Sequence, residues 1–89
     1  SRPVKHSLTL NGHRTSVSLE NEFWRAFCKR AEDLGQPINA LAAEIDAARG
    51  AETGLATAIR LYVLRNLQAE LAQSELQGLP QTAEPREVS

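Results

Sequence analysis

SLTLNGHRTSVSLENEFW, residues 7–24, changes its periodicity midway. Thr15, Val17 and Leu19 fall on one face of an extended segment, and Arg14, Ser16 and Ser18 fall on the other. From Phe23 and Trp24 onward the spacing becomes helical, with Phe27, Ala31 and Leu34 following at three- and four-residue steps. A strand with one polar face therefore runs straight into an amphipathic helix. So short a strand is unstable alone in water and needs a partner. A second copy of the chain is the expected one.

Upstream the apolar parity is reversed. Leu8 and Leu10 are even-numbered, and Asn11-Gly12 stands between them and His13. Asn-Gly is a strong two-residue hairpin signal, because both central positions need positive φ. A hairpin closing there would pair Leu10 with His13 and Leu8 with Thr15, so that all of them share a face. Lys5, Ser7 and Thr9 would then join Arg14, Ser16 and Ser18 on the opposite face. The alternative is an extended arm before Asn11, with only residues 13–19 as strand. Residues 1–6 read as a flexible basic arm.

Downstream, the first helix is expected from about Glu20 to Leu34, closed by Gly35 and blocked by Pro37. A second should begin with Asn39 as its N-cap, bury Leu41, Ala42, Ile45 and Ala48, and stop near Arg49-Gly50. Residues 50–54 read as a linker. A third fits 55–76, with Leu55, Ile59, Tyr62, Val63, Leu67 and Leu71 recurring at helical steps. The main domain thus spans 7–76, and 77–89 read as a disordered tail.

The chain has 89 residues, 42% hydrophobic but only 4% aromatic. A core built from so few large side chains is thin, and association of copies is the usual remedy. Cys28 is the only cysteine, which excludes an internal disulfide and is in keeping with a cytoplasmic setting. No segment has the length of apolar residues that a membrane span needs. Net charge is −1, yet residues 1–30 carry six basic and two acidic side chains, a balance of +4, and the first 19 residues hold no acid. One basic face on a nearly neutral protein suits a nucleic acid. Arg14 with two hydroxyls in a row suits the edges of DNA bases.

The order of strand, helix, Gly35-Gln36-Pro37-Ile38-Asn39 turn and second helix resembles the ribbon-helix-helix family of bacterial DNA-binding proteins. The wording from Gly12 to Glu20, then Phe23-Trp24, Glu44-Ile45-Asp46 and Leu55-Ala56-Thr57-Ala58-Ile59-Arg60, looks like a small bacterial branch of it with an extra C-terminal helix. The resemblance implies a mainly helical dimer with a short intermolecular antiparallel ribbon that enters the major groove of double-stranded DNA. Arg14, Ser16 and Ser18 would then be the base-contacting positions. The second helix would grip a phosphate through the backbone near Asn39 and Ala40, with Lys5 and Arg2 adding phosphate contacts. Val17, Leu19, Phe23, Trp24, Phe27 and Ile45 would form the dimer core. In a second register, residues 55–63 supply the family's second helix and 39–49 are an insertion.

The expected function is a transcriptional regulator, acting as a homodimer or a tetramer. Two alternatives stand beside it: an antitoxin-like DNA-binding protein whose third helix holds a protein partner, and an interaction module that has lost DNA binding. His6, His13 and Cys28 lack metal-ligand spacing, so no metal is expected. No pair of groups assembles a catalytic site, and neither an enzyme activity nor a cofactor is expected. Arg60 and Arg65 read as a solvated edge and Cys28 as a small packing residue.

Overall fold

The computed structural model describes residues 2–78. A two-stranded antiparallel hairpin, β1 (Val4–Leu10) and β2 (His13–Leu19), is followed by α1 (Asn21–Leu34), α2 (Ile38–Ala48) and α3 (Leu55–Gly78). The register pairs Leu10 with His13, Leu8 with Thr15, His6 with Val17 and Val4 with Leu19. Asn11 and Gly12 both have positive φ, 53° and 83°, as the parity and the turn residues predict. Of the two conformations the sequence allows before Asn11, the hairpin is the one found. Val4, Lys5 and His6, expected in a flexible arm, are strand residues. The sequence lacks an alternating pattern there because Val4 lies exposed at the hairpin's open end.

The hairpin roofs the helices. Leu8, Leu10, Val17 and Leu19 point down and are buried, as are Phe27 and Ala31 of α1, Leu41, Ala42 and Ile45 of α2, and Ile59 and Val63 of α3. Leu19, Phe27, Leu41 and Ile59 are enclosed completely. Each fully buried side chain of this size contributes about 1.5–3 kcal/mol by transfer from water. α3 packs on both α1 and α2, so its first half completes the core of a single chain.

α1 begins after Glu20, whose carbonyl takes the first helical bond from the Trp24 N–H at 2.9 Å. It ends at Gly35, φ 69°, where the Gly35 N–H donates to Glu32 O and the Gln36 N–H to Ala31 O. Those two bonds satisfy carbonyls that the helix end would orphan, and the left-handed backbone at Gly35 is what permits them. α2 starts earlier than expected. Pro37 is its N-cap, not Asn39, and the Pro37 carbonyl accepts from both Ala40 and Leu41 N–H at 3.1 Å. Proline suits this entry because its φ is fixed near the observed −62° and it has no N–H to lose. The linker from α2 to α3 is clamped by Arg49, which donates to Asp46 Oδ1 at 2.6 Å and to Thr53 O at 2.8 Å.

α3 outruns the body. Leu55, Tyr62 and Val63 pack as their spacing predicts, but Leu67 and Leu71 do not. With Leu61 and Leu64 they form an exposed row along the helix. Helical spacing alone does not distinguish a row covered by the chain itself from one left open. The tail expected over 77–89 lies outside the described residues from residue 79 onward.

Candidate nucleic-acid interface

The face of the hairpin turned away from the core carries Lys5, Ser7 and Thr9 from β1 and Arg14, Ser16 and Ser18 from β2. All six are exposed. They stand in cross-strand pairs, Lys5 beside Ser18, Ser7 beside Ser16 and Thr9 beside Arg14. Strand alternation dictates this: the residues between them are the ones the core takes. The face therefore holds two cations and four hydroxyls and no acid. Among the described residues, no hydrogen bond or ion pair engages the Arg14 guanidinium, which leaves its fork of donors free for a planar acceptor pair.

α2 is tied to this hairpin by a side chain. Asn39 Oδ1 accepts a hydrogen bond from the Thr9 N–H at 3.0 Å. The side chain expected to cap its own helix instead closes part of the β1 edge. The same bond holds the N-terminus of α2 beside the ribbon. The first N–H groups of a helix have no partner within it. Here those of Ile38 and Asn39 meet that condition, whereas the Ala40 N–H already donates to Pro37 O. Of the expected Asn39 and Ala40 amides, that of Asn39 is therefore without a partner in its own helix and that of Ala40 is not.

At the other edge Arg60 of α3 takes the role that Asn39 plays on β1. Its Nη2 donates to Ser18 O at 3.2 Å, and its guanidinium meets Glu20 at 2.9 and 3.3 Å. Arg60 is thus a half-buried clasp between α3, β2 and the start of α1, not a solvated edge. The hydrogen bond from Arg60 holds the Glu20 carboxyl below its usual range. Only the helical repeat of α3 is visible in the sequence, and nothing local signals a pairing across forty residues.

The six positions expected in a dimer core divide. Leu19 and Phe27 are enclosed by their own chain, and Val17 and Ile45 nearly so. Phe23 and Trp24 are half-buried and retain surface. Trp24 stacks on His6 of β1 with ring centroids 3.8 Å apart and planes 6° from parallel, and tilts against Phe27 at 5.7 Å. The role of His6 in holding β1 to α1 is not legible in the sequence, since a histidine in a polar arm carries no signal of it. Cys28 is half-buried on α1, and burial raises its thiol pKa, in keeping with packing and not with reactivity. Among the described residues no three histidine, cysteine or acidic side chains gather as metal ligands. No helix of the described residues is long and apolar enough to cross a membrane.

The family model for the ribbon-helix-helix domain matches residues 3–67. That span takes in the hairpin, α1, α2 and the packed half of α3. No curated protein and no solved structure matches the chain. With its polar hairpin face, the direct passage from β2 into α1, the Gly35 turn and a family match over most of its length, the chain belongs to the ribbon-helix-helix family, a family of DNA-binding regulators.

Proposed function

We propose that the chain is a sequence-specific DNA-binding protein and a transcriptional regulator, acting as a homodimer on double-stranded DNA. The outward face of the ribbon lies in the major groove. Arg14 reads guanine through O6 and N7, while Ser16 and Ser18 donate to or accept from neighbouring base edges. The amides at the start of α2 hold a backbone phosphate, aided by the helix dipole. Lys5 and Arg2 bind further phosphates and so fix register. The observation that carries this reading is the unpaired Arg14 guanidinium on an acid-free, fully exposed polar face.

A salt titration of binding to random duplex DNA, with the mass of the protein measured by light scattering, tests the reading. A steep linear fall of log affinity with log salt, from a protein of twice the chain mass, is the expected result. No binding at low salt would refute it.

A second reading draws on the leucine row of α3. Leu64, Leu67 and Leu71 are 45%, 51% and 61% exposed, a run that asks for a cover. The antitoxin-like alternative supplies one in a different protein, and the tetramer supplies one in further copies. Cutting the chain after Gly54 would not separate these, because it would remove the core residues Ile59 and Val63. Leu64→Lys with Leu71→Lys leaves the core alone. Release of a partner protein with DNA binding intact would favour the antitoxin-like reading, and a drop from four copies to two would favour the tetramer.

A further inference from the structure

We infer that β1 is a phosphate-binding strand: Ser7 and Thr9, with Lys5, rest on the sugar–phosphate rims of the groove while β2 lies within it. This rests on the DNA-binding homodimer proposed above and adds the Ser7 and Thr9 hydroxyls to the groups that hold DNA.

The two edges of the hairpin differ in what a second copy finds there. In a two-residue hairpin the pair next to the turn, Leu10 and His13, exchanges both main-chain bonds, and the pairs alternate from there. The main-chain groups of Lys5, Ser7 and Thr9 therefore point out from β1, and those of Arg14, Ser16 and Ser18 point out from β2. On β1 the Thr9 N–H already donates to Asn39, and a backbone N–H is a single donor. A strand pairing along β1 about its middle outward residue, Ser7, needs that donor and finds it spent. On β2 the engaged group is an acceptor, the Ser18 carbonyl, which meets the Arg60 guanidinium and keeps a second lone pair for a strand N–H. Pairing about Ser16 sets Arg14 of one copy opposite Ser18 of the other, with the outward N–H groups of β2 available. Two copies thus join through β2, and β1 becomes the outer strand on each side.

Width then decides what β1 meets. Paired strands lie about 4.8 Å apart, so the outer strands of the four are separated by roughly 14 Å. The major groove is about 12 Å wide. The inner β2 pair enters it, and each β1 stands over a rim, where the phosphates are. Hydroxyl and ammonium groups are donors suited to phosphate oxygens, and such contacts position a protein without reading sequence. Lys5, Ser7 and Thr9 supply those donors and no acid. All three are exposed, and among the described residues no hydrogen bond or ion pair takes up their side chains. The bond from the Thr9 N–H to Asn39 also seats the start of α2 beside β1. The amides given a phosphate in the proposed function and the side chains of β1 therefore follow the same sugar–phosphate chain.

The test measures binding of the full chain to a duplex site selected from a random library, to single-base changes of that site, and to random duplex DNA. Ser7→Ala combined with Thr9→Val removes both hydroxyls, and valine keeps the strand preference of threonine. The double variant is expected to weaken binding to every duplex by the same factor, about tenfold, with the preference among bases unchanged. Arg14→Ala, by contrast, should lose that preference. If the parent binds and the double variant either binds as the parent does or loses preference at particular base pairs, the inference is overturned and the DNA-binding reading stands. If the parent shows no salt-dependent binding, both fall. A second measurement reads the edges: Ser16→Cys and Ser7→Cys, each in a Cys28→Ser background, oxidised in solution. A cross-linked dimer through position 16 and none through position 7 supports the inference; cross-linking through position 7, or through neither, overturns it.

Discussion

The Asn39 side chain accepts the Thr9 backbone N–H at 3.0 Å, and this one bond fixes where the N-terminus of α2 lies relative to β1. In the proposed function, base contacts by the ribbon and phosphate binding at the start of α2 are thereby set at a fixed spacing. Asn39 is exposed, so water can replace its acceptor if it is removed. Asn39→Ala is expected to cost about 0.5–1.5 kcal/mol of stability. Amide exchange at Thr9 should quicken more than the global loss accounts for, and Asn39→Asp, which keeps an acceptor, should restore protection. Unchanged exchange at Thr9 would show that the bond is not formed in solution.

Arg14→Ala should weaken binding to a selected site by about 1–3 kcal/mol while leaving the fold unchanged, since the side chain is exposed and holds no other group in place. Arg2→Ala and Lys5→Ala should behave differently, weakening all duplexes alike and lowering the salt slope by about 0.9 for each phosphate no longer neutralised. Fluorescence anisotropy across a salt series separates the two patterns.

The Glu20–Arg60 pair makes stability fall on the acid side. The folded Glu20 carboxyl titrates below its ordinary value, because Arg60 donates to its ionised form. A group depressed in this way stabilises the folded chain above the ordinary glutamate range. That stability is lost as pH falls through the folded value. Melting temperatures between pH 7 and pH 3 should therefore drop less for Arg60→Met than for the parent. An equal drop in both proteins would place the acid sensitivity elsewhere.

Phe27 is enclosed on every side and packs against Trp24. Phe27→Ala should cost about 3–5 kcal/mol in urea unfolding. A domain this small holds a reserve of the same order, so much of the variant should be unfolded at physiological temperature. Leu71→Ala, on the exposed row, should change the stability of the chain by less than about 0.5 kcal/mol.

Gly12 has φ 83°, and a Cβ there would meet no atom within 4 Å. The cost of Gly12→Ala is therefore conformational alone, about 1–2 kcal/mol. Gly12→Asn should cost less, because asparagine tolerates the left-handed region. A larger loss for Asn than for Ala in thermal unfolding would show that something other than backbone conformation sets the cost.

Period and parity reach far into this fold. The shift from Leu8 and Leu10 to Val17 and Leu19 across Asn11-Gly12 locates the hairpin register to the residue, since a strand face is an all-or-none property. Gly35 marks the end of α1 because few other residues take its backbone. Asn39 misleads, because an asparagine near a helix start reads as a cap, and only the tertiary position of β1 gives it a different hydrogen bond. Arg60 misleads for the same reason: its partners, Glu20 and Ser18, are forty residues and more away. Arg14, Ser16 and Ser18 are legible as one face, whereas the membership of Ser7 and Thr9 depends on the hairpin being formed.

Trp24 is the sole tryptophan of the chain, and it lies flat against His6 of β1. The protein thus contains its own optical probe. Indole emission is sensitive to what covers the ring, so lifting β1 from α1 changes the signal with no label attached. Because the opposite face of the same strand carries Lys5, Ser7 and Thr9, a change in emission on adding DNA would register a movement of the ribbon on the helices.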